Sequence, residues 1–88
     1  MTFDAAIITE KGVTFVIIIV KPEILKHDFT INEARQVFSK FFPTMPIILM
    51  AQESATTPTY QGRQDLVKFL NTVDYMLLPW KSYTVKEG

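Results

Sequence analysis

Residues 13–20 read Val-Thr-Phe-Val-Ile-Ile-Ile-Val, a run dominated by β-branched side chains. Such residues are stiff at χ1 and pack well on a pleated surface. The length is that of a strand rather than a helix. Successive strand side chains point to opposite faces, so Val13, Phe15, Ile17 and Ile19 lie on one side and Val16, Ile18 and Val20 on the other. Both sides are apolar, as in a strand covered on both faces. The rest of the chain must supply this run with neighbours at its edges and packing on its faces.

A first strand is expected over Phe3–Glu10. Glu10-Lys11-Gly12 then interrupts, and Gly12 suits a hairpin loop with a positive φ, predicted as a type I turn followed by a bulge. Pro22 ends the second strand and can open a short helical turn through Lys26. Thr30 and Glu33 read as a capping box at the start of a helix. Ile31, Ala34, Val37, Phe38, Phe41 and Phe42 form its apolar face, Asn32, Arg35, Gln36, Ser39 and Lys40 fill the other, and Pro43 stops it. Pro46–Gln52 is a short apolar run, hence a buried strand. Glu53–Gln61 is polar with a proline and reads as a loop. A second helix is expected from Gln61 or Gly62 to about Val73, with Leu66, Phe69, Leu70 and Val73 as its stripe and Asp65 favouring its N-terminal dipole. Tyr75–Leu78 reads as a last strand, limited by Pro79 and extended at an edge by Trp80–Val85.

The order ββαβαβ predicts an α/β domain, bordering on α+β, with two helices on a mixed four-stranded sheet. Strands two, three and four are expected to be parallel, with strand one antiparallel at an edge. Residues 1–88 are expected to be one domain, because 88 residues hold one core and no more. The last strand alternates Tyr75 and Leu77 with Met76 and Leu78, so three strands are apolar on both faces. Only two helices cover them, either on opposite faces or sharing one. Both arrangements leave apolar surface thinly covered, which predicts a homodimer or docking on another protein.

Composition narrows the function. The chain has nine basic and nine acidic side chains, locally mixed, and no basic stripe of the kind a nucleic-acid binder carries. It has no Cys and one His. That excludes disulfides, thiolate zinc sites, thiol nucleophiles and multi-histidine metal sites within the chain, and no cofactor is called for. The longest apolar run is far short of the ~20 residues of a membrane helix. Met1-Thr2-Phe3-Asp4 lacks the basic start of a signal peptide, and a cytoplasmic location is expected.

No catalytic set is complete, which turns the reading away from an enzyme. His27 and Asp28 are adjacent, and in extended chain they point apart. Glu53 and Asp65 are the one carboxylate pair placed near a strand end and a helix start. Ser54 has no nucleophile-elbow glycines. The segment from Gln52 to Arg63 is the stronger candidate. It leaves the carboxyl end of a strand expected to be parallel and meets a helix N-terminus, where open α/β sheets bind ligands and where anions are favoured. Gly62 would allow close approach and Arg63 would grip an anion, with Tyr60 covering one side and Gln52 or Thr59 orienting it. Trp80, Lys81 and Tyr83 form an aromatic-basic group, read as a protein interface through Trp80 and Tyr83.

Thr57-Pro58-Thr59, after a strand and before a glycine and a helix, resembles the Pro-Thr segment that thioredoxin-like proteins place, with a cis proline, beside their redox cysteines. With no Cys the redox chemistry is impossible, and the segment is expected to run into a helix where thioredoxins run into a strand. No family is assigned on it. In general make-up the chain is similar to small bacterial α/β proteins. The leading expectation is a non-enzymatic interaction or self-association module. The alternative is a small-molecule or anion-binding domain using Gln52, Thr59, Tyr60, Gly62 and Arg63.

Overall fold

The computed structural model describes residues 1–53 and 57–86. Strands β1 (Thr2–Glu10) and β2 (Val13–Ile19) form a hairpin, and a 3-10 turn (Pro22–Lys26) leads to helix α1 (Asp28–Ser39). Strands β3 (Ile47–Ala51) and β4 (Thr59–Gln61) follow, then helix α2 (Gln64–Leu70), a second 3-10 turn (Tyr75–Leu77) and strand β5 (Lys81–Thr84). The result is a small α+β domain with two helices on a mixed sheet. Among the described residues there are five strands rather than four, in the order β4-β3-β2-β1-β5.

The hairpin turns on Lys11 and Gly12, with φ of 50° and 79°. Glu10 pairs with Val13, so the loop has two residues, both with positive φ. That is the type I′ pattern, whose twist matches the strands, rather than the expected type I turn with a bulge. The β2 run takes the central position and pairs in parallel with β3, Val16 against Ile47 through Ile19 against Met50.

Three expectations for the sheet are corrected. Only β2 and β3 are parallel, because Tyr75–Leu77 coils into a 3-10 turn instead of adding a strand. The Asp74 side chain accepts from the Met76 N–H at 3.0 Å and bends the chain there, as short acidic side chains do in turns. The chain then crosses to the far edge, where β5 pairs antiparallel with β1, Phe3 against Tyr83. β1 is therefore an interior strand. Finally, the segment expected as a loop contains β4, antiparallel to β3 with Met50 opposite Tyr60.

The helices lie on opposite faces of the sheet. Ile17 and Ile18 have no exposed surface. Ile18 packs with Ala5, Val16, Leu49 and Phe38 of α1. Ile17 packs with Ala6, Phe15, Ile48 and Leu66 and Leu70 of α2. The two-sided reading holds for Phe15 to Ile18 of β2 and Ile47 to Met50 of β3, whereas Ile19 at the end of β2 is exposed. The α1 side is closed by rings: Phe3 stacks on Tyr83 at 5.3 Å and meets Phe38 edge-on at 5.0 Å, geometries that favour aromatic pairs.

α1 starts earlier than its capping box. His27 holds the N-cap position with no side-chain cap, and Thr30 lies inside the first turn. Its hydroxyl donates to the carbonyls of Ile24 at 2.6 Å and His27 at 2.9 Å. Thr30 thus ties α1 to the preceding turn instead of capping it. α2 is shorter than expected at both ends: the chain over 59–61 is committed to β4, so the helix begins at Gln64, and it closes at Leu70, with Thr72 and Val73 bonding back only three residues to Phe69 and Leu70.

Candidate functional site

The residues expected to converge on a ligand are separated by the strand that replaces the loop. In β4 alternate side chains face opposite sides. Tyr60 points to the α2 side and packs there. Gln61 is held from the α1 side by Arg35, whose Nη2 donates to the Gln61 side-chain oxygen at 2.6 Å and to its backbone carbonyl at 3.0 Å. Arg35 Nη1 also donates to the Ile47 carbonyl at 2.7 Å. Arg35 was expected on the solvent face of its helix. Instead its planar fork buckles α1 to β3 and β4, a task suited to a guanidinium. Burial lowers its pKa from the ordinary value. The interaction spans 26 residues, and no local pattern signals it.

Gly62 serves this buckle. Its φ is 151°, and a Cβ there would stand 2.9 Å from Arg35 Nη2, 3.1 Å from the Ile47 carbonyl oxygen and 2.6 Å from Ile48 Cδ1. The close approach expected of Gly62 is real, but it is made by the chain's own side chains. Arg63 faces a different cleft, of about 480 Å³, beside Lys11, Lys68 and Glu10. It pairs with Asp65 at 2.8 Å, both well exposed. With Arg63 bound to Asp65 and Lys26 to Glu53 at 3.6 Å, the two carboxylates considered as a pair each have a separate cationic partner. His27 and Asp28 are both exposed at the start of α1. Ser54 lies outside the described residues. Among the described residues no three His, Asp or Glu side chains group as a metal site, and no helix is long and apolar enough to cross a membrane.

Trp80 and Tyr83 are half-buried in different clusters, Trp80 on the α2 side and Tyr83 on the α1 side. Tyr83 stacks on Phe3, and the Trp80 indole N–H donates to the Tyr75 carbonyl at 2.7 Å. They do not form one aromatic patch with Lys81.

Two places stand out, apart from Met76 and Leu77, which are themselves exposed on the second 3-10 turn. One is a cleft of about 340 Å³ beyond the end of α2, with Tyr60, Leu70, Val73, Asp74 and Tyr75 among its lining residues. Tyr75 is fixed from three directions: by the Asp74 turn, by Trp80 on its carbonyl, and by Gln52, whose side-chain amide donates to the Tyr75 hydroxyl at 2.7 Å. Gln52 therefore orients a site residue, through a contact made across 23 positions. The Tyr60 ring is half-exposed, while its hydroxyl oxygen is buried with no hydrogen-bond partner among the described residues. Desolvation, and secondarily the nearby Tyr75, raise its pKa above the ordinary 10.0. Thr59 is exposed on the opposite side of β4 from Tyr60.

The other place is the outer surface of α1. Phe29 is 72% exposed, and Val37 and Phe41 each 39%. Phe29, Glu33 and Val37 recur every four residues, one ridge of the helix surface. Beside the ridge lies a shallow, largely apolar groove of about 290 Å³ lined by Ile24, Thr30, Glu33, Ala34, Val37 and Phe38. The sequence placed Val37 on the buried face and left Phe29 out, because the helix was expected to start after Phe29; Phe41, though 39% exposed, does turn its ring to Phe3 at 6.1 Å.

The Thr57–Pro58 peptide is trans and the segment enters β4, so neither the cis proline nor the expected entry into a helix is found. No protein-family model matches the chain, and no curated protein or solved structure matches it either, so its functional reading rests on its own residues.

Proposed function

We propose that this chain is a non-enzymatic interaction module that pairs with a second copy of itself through α1. The observation that carries the reading is Phe29, a whole phenyl ring 72% exposed on a well-formed helix. A large exposed apolar group next to an apolar groove marks an interaction surface. The occupant argued for is a second copy, because knob and groove stand on the same face. In a two-fold contact each residue meets its counterpart's neighbour reciprocally. Each Phe29 can then enter the other copy's groove between Ala34 and Val37, and both knobs are buried at once.

An antiparallel crossing of two α1 helices centred near Glu33 sets Phe29 against the second copy's groove beside Val37. A helix of twelve residues offers a contact at the small end of specific interfaces, so association is expected to be micromolar.

Light scattering behind size exclusion, from ~10 μM to 1 mM, tests this. The mass should rise towards twice the monomer with concentration. Phe29→Glu should hold it at the monomer value with an unchanged unfolding midpoint. A monomer throughout, or a dimer indifferent to Phe29→Glu, would overturn the proposal.

A further inference from the structure

We propose that the cleft beyond α2 binds a small organic cation of the alkylammonium class. The argument is independent of α1, which lies on the other side of the sheet. The cleft, about 340 Å³, is within the size range of small-molecule sites. Its lining includes one carboxylate, Asp74, and no Lys, Arg or His among the described residues. An anion therefore meets a like charge and no counter-charge, and the anionic ligand expected from the sequence is disfavoured here.

Two tyrosines, Tyr60 and Tyr75, line the same space. Aromatic rings attract cations through their quadrupole, and ammonium groups bearing methyl or alkyl substituents are the ligands that such rings recognise. Leu70, Val73 and Met76 offer apolar contact for the substituents. Asp74 is well placed to add its charge. One of its oxygens accepts from the Met76 N–H at 3.0 Å, which fixes the carboxylate, and a carboxylate has further acceptor capacity. Tyr75 is likewise held before any ligand arrives, its hydroxyl by Gln52 and its backbone carbonyl by Trp80. A preorganised wall loses little on binding.

The test is a titration of the 15N-labelled chain with choline and with its uncharged isostere 3,3-dimethylbutan-1-ol, followed by amide shifts. Choline, up to ~10 mM, should give saturable shifts at Tyr60 and residues 70–76, and the alcohol should bind about tenfold more weakly. Asp74→Asn keeps an oxygen for the Met76 N–H and removes the charge. It should weaken choline severalfold while α1 shifts stay as in the parent chain. Equal binding of the alcohol, an Asp74→Asn chain that binds choline as before, or no saturable shifts in this region would each overturn the proposal.

Discussion

The strands offer equally apolar surfaces to the two sides of the sheet, yet the two sides are closed differently. On one, α1 runs for twelve residues, and Phe3 stands within 6.3 Å of four other rings, those of Phe38, Phe41, Phe42 and Tyr83. On the other, α2 runs for only seven, and half-buried Tyr60, Tyr75, Leu78 and Trp80 complete the cover. The long helix seals its face with apolar side chains to spare, and the surplus appears outside as Phe29. The short helix ends early, and a cleft opens where it stops. A helix longer than its face needs creates a docking surface, and one shorter creates a pocket.

The largest test of this contrast compares core truncations. Ile18→Ala removes a side chain from the ring-closed face, whose neighbours are locked. Leu70→Ala removes one beside the open cleft, where Val73 can relax inwards. Costs for such changes run from ~2 to 5 kcal/mol with the ability of the site to collapse. Ile18→Ala is expected near the top and Leu70→Ala near the bottom, from urea unfolding at constant m-value. The reverse order would mean that the α2 face is the better packed.

Next in size is Arg35→Met. It keeps the aliphatic stem and leaves the Ile47 and Gln61 oxygens without their donor, at a cost of about 2–3 kcal/mol. Amide exchange should rise in β4 well before β1. Uniform exchange would show that Arg35 does not hold β4 in particular.

Tyr60→Phe is expected to act in the opposite direction. Removing a buried hydroxyl that has no partner among the described residues should stabilise the chain by about 1 kcal/mol. The parent chain carries a pH signature of the same group. Because burial raises the folded-state pKa of Tyr60 above 10.0, the unfolded chain gives up this proton first as pH rises. Stability is therefore full below pH 10 and falls above it, and Tyr60→Phe should flatten that part of the profile. A destabilised Tyr60→Phe chain would mean that the hydroxyl is satisfied.

The smallest effect is expected for Arg63→Ala. Its pair with Asp65 is exposed on both sides, and such pairs contribute at most a few tenths of a kcal/mol. A loss of more than about 1 kcal/mol would give the residue a structural role that its contacts do not show.

What could be read in the sequence follows from how local each signal was. The β2 and β3 faces came from alternation within a few residues, and Ile17 and Ile18 fell on the sides expected. β4 is three residues long and is set by pairing with β3 and by Arg35, neither of which leaves a local trace. A charged residue at position 35 reads as solvent-facing by type, though a long stem lets a guanidinium reach inwards. Thr30 and Glu33 matched a cap, but the Ile24 carbonyl in the preceding turn claimed the hydroxyl. Tyr60 was legible as a candidate side chain, whereas its neighbour Arg63 was placed with it on the assumption of a loop. Tyr75 was hidden inside an apolar run that looked like a strand, and Asp74 fell between that run and the expected helix.

The most direct test of the division between the faces is an amide-shift series of the unligated chain, recorded as protein concentration is raised. The account predicts concentration-dependent shifts confined to residues 24–41, with Phe29 moving most and residues 57–76 unmoved. Shifts centred on the cleft or on the β4 and β5 edges, or none at any concentration, would contradict it.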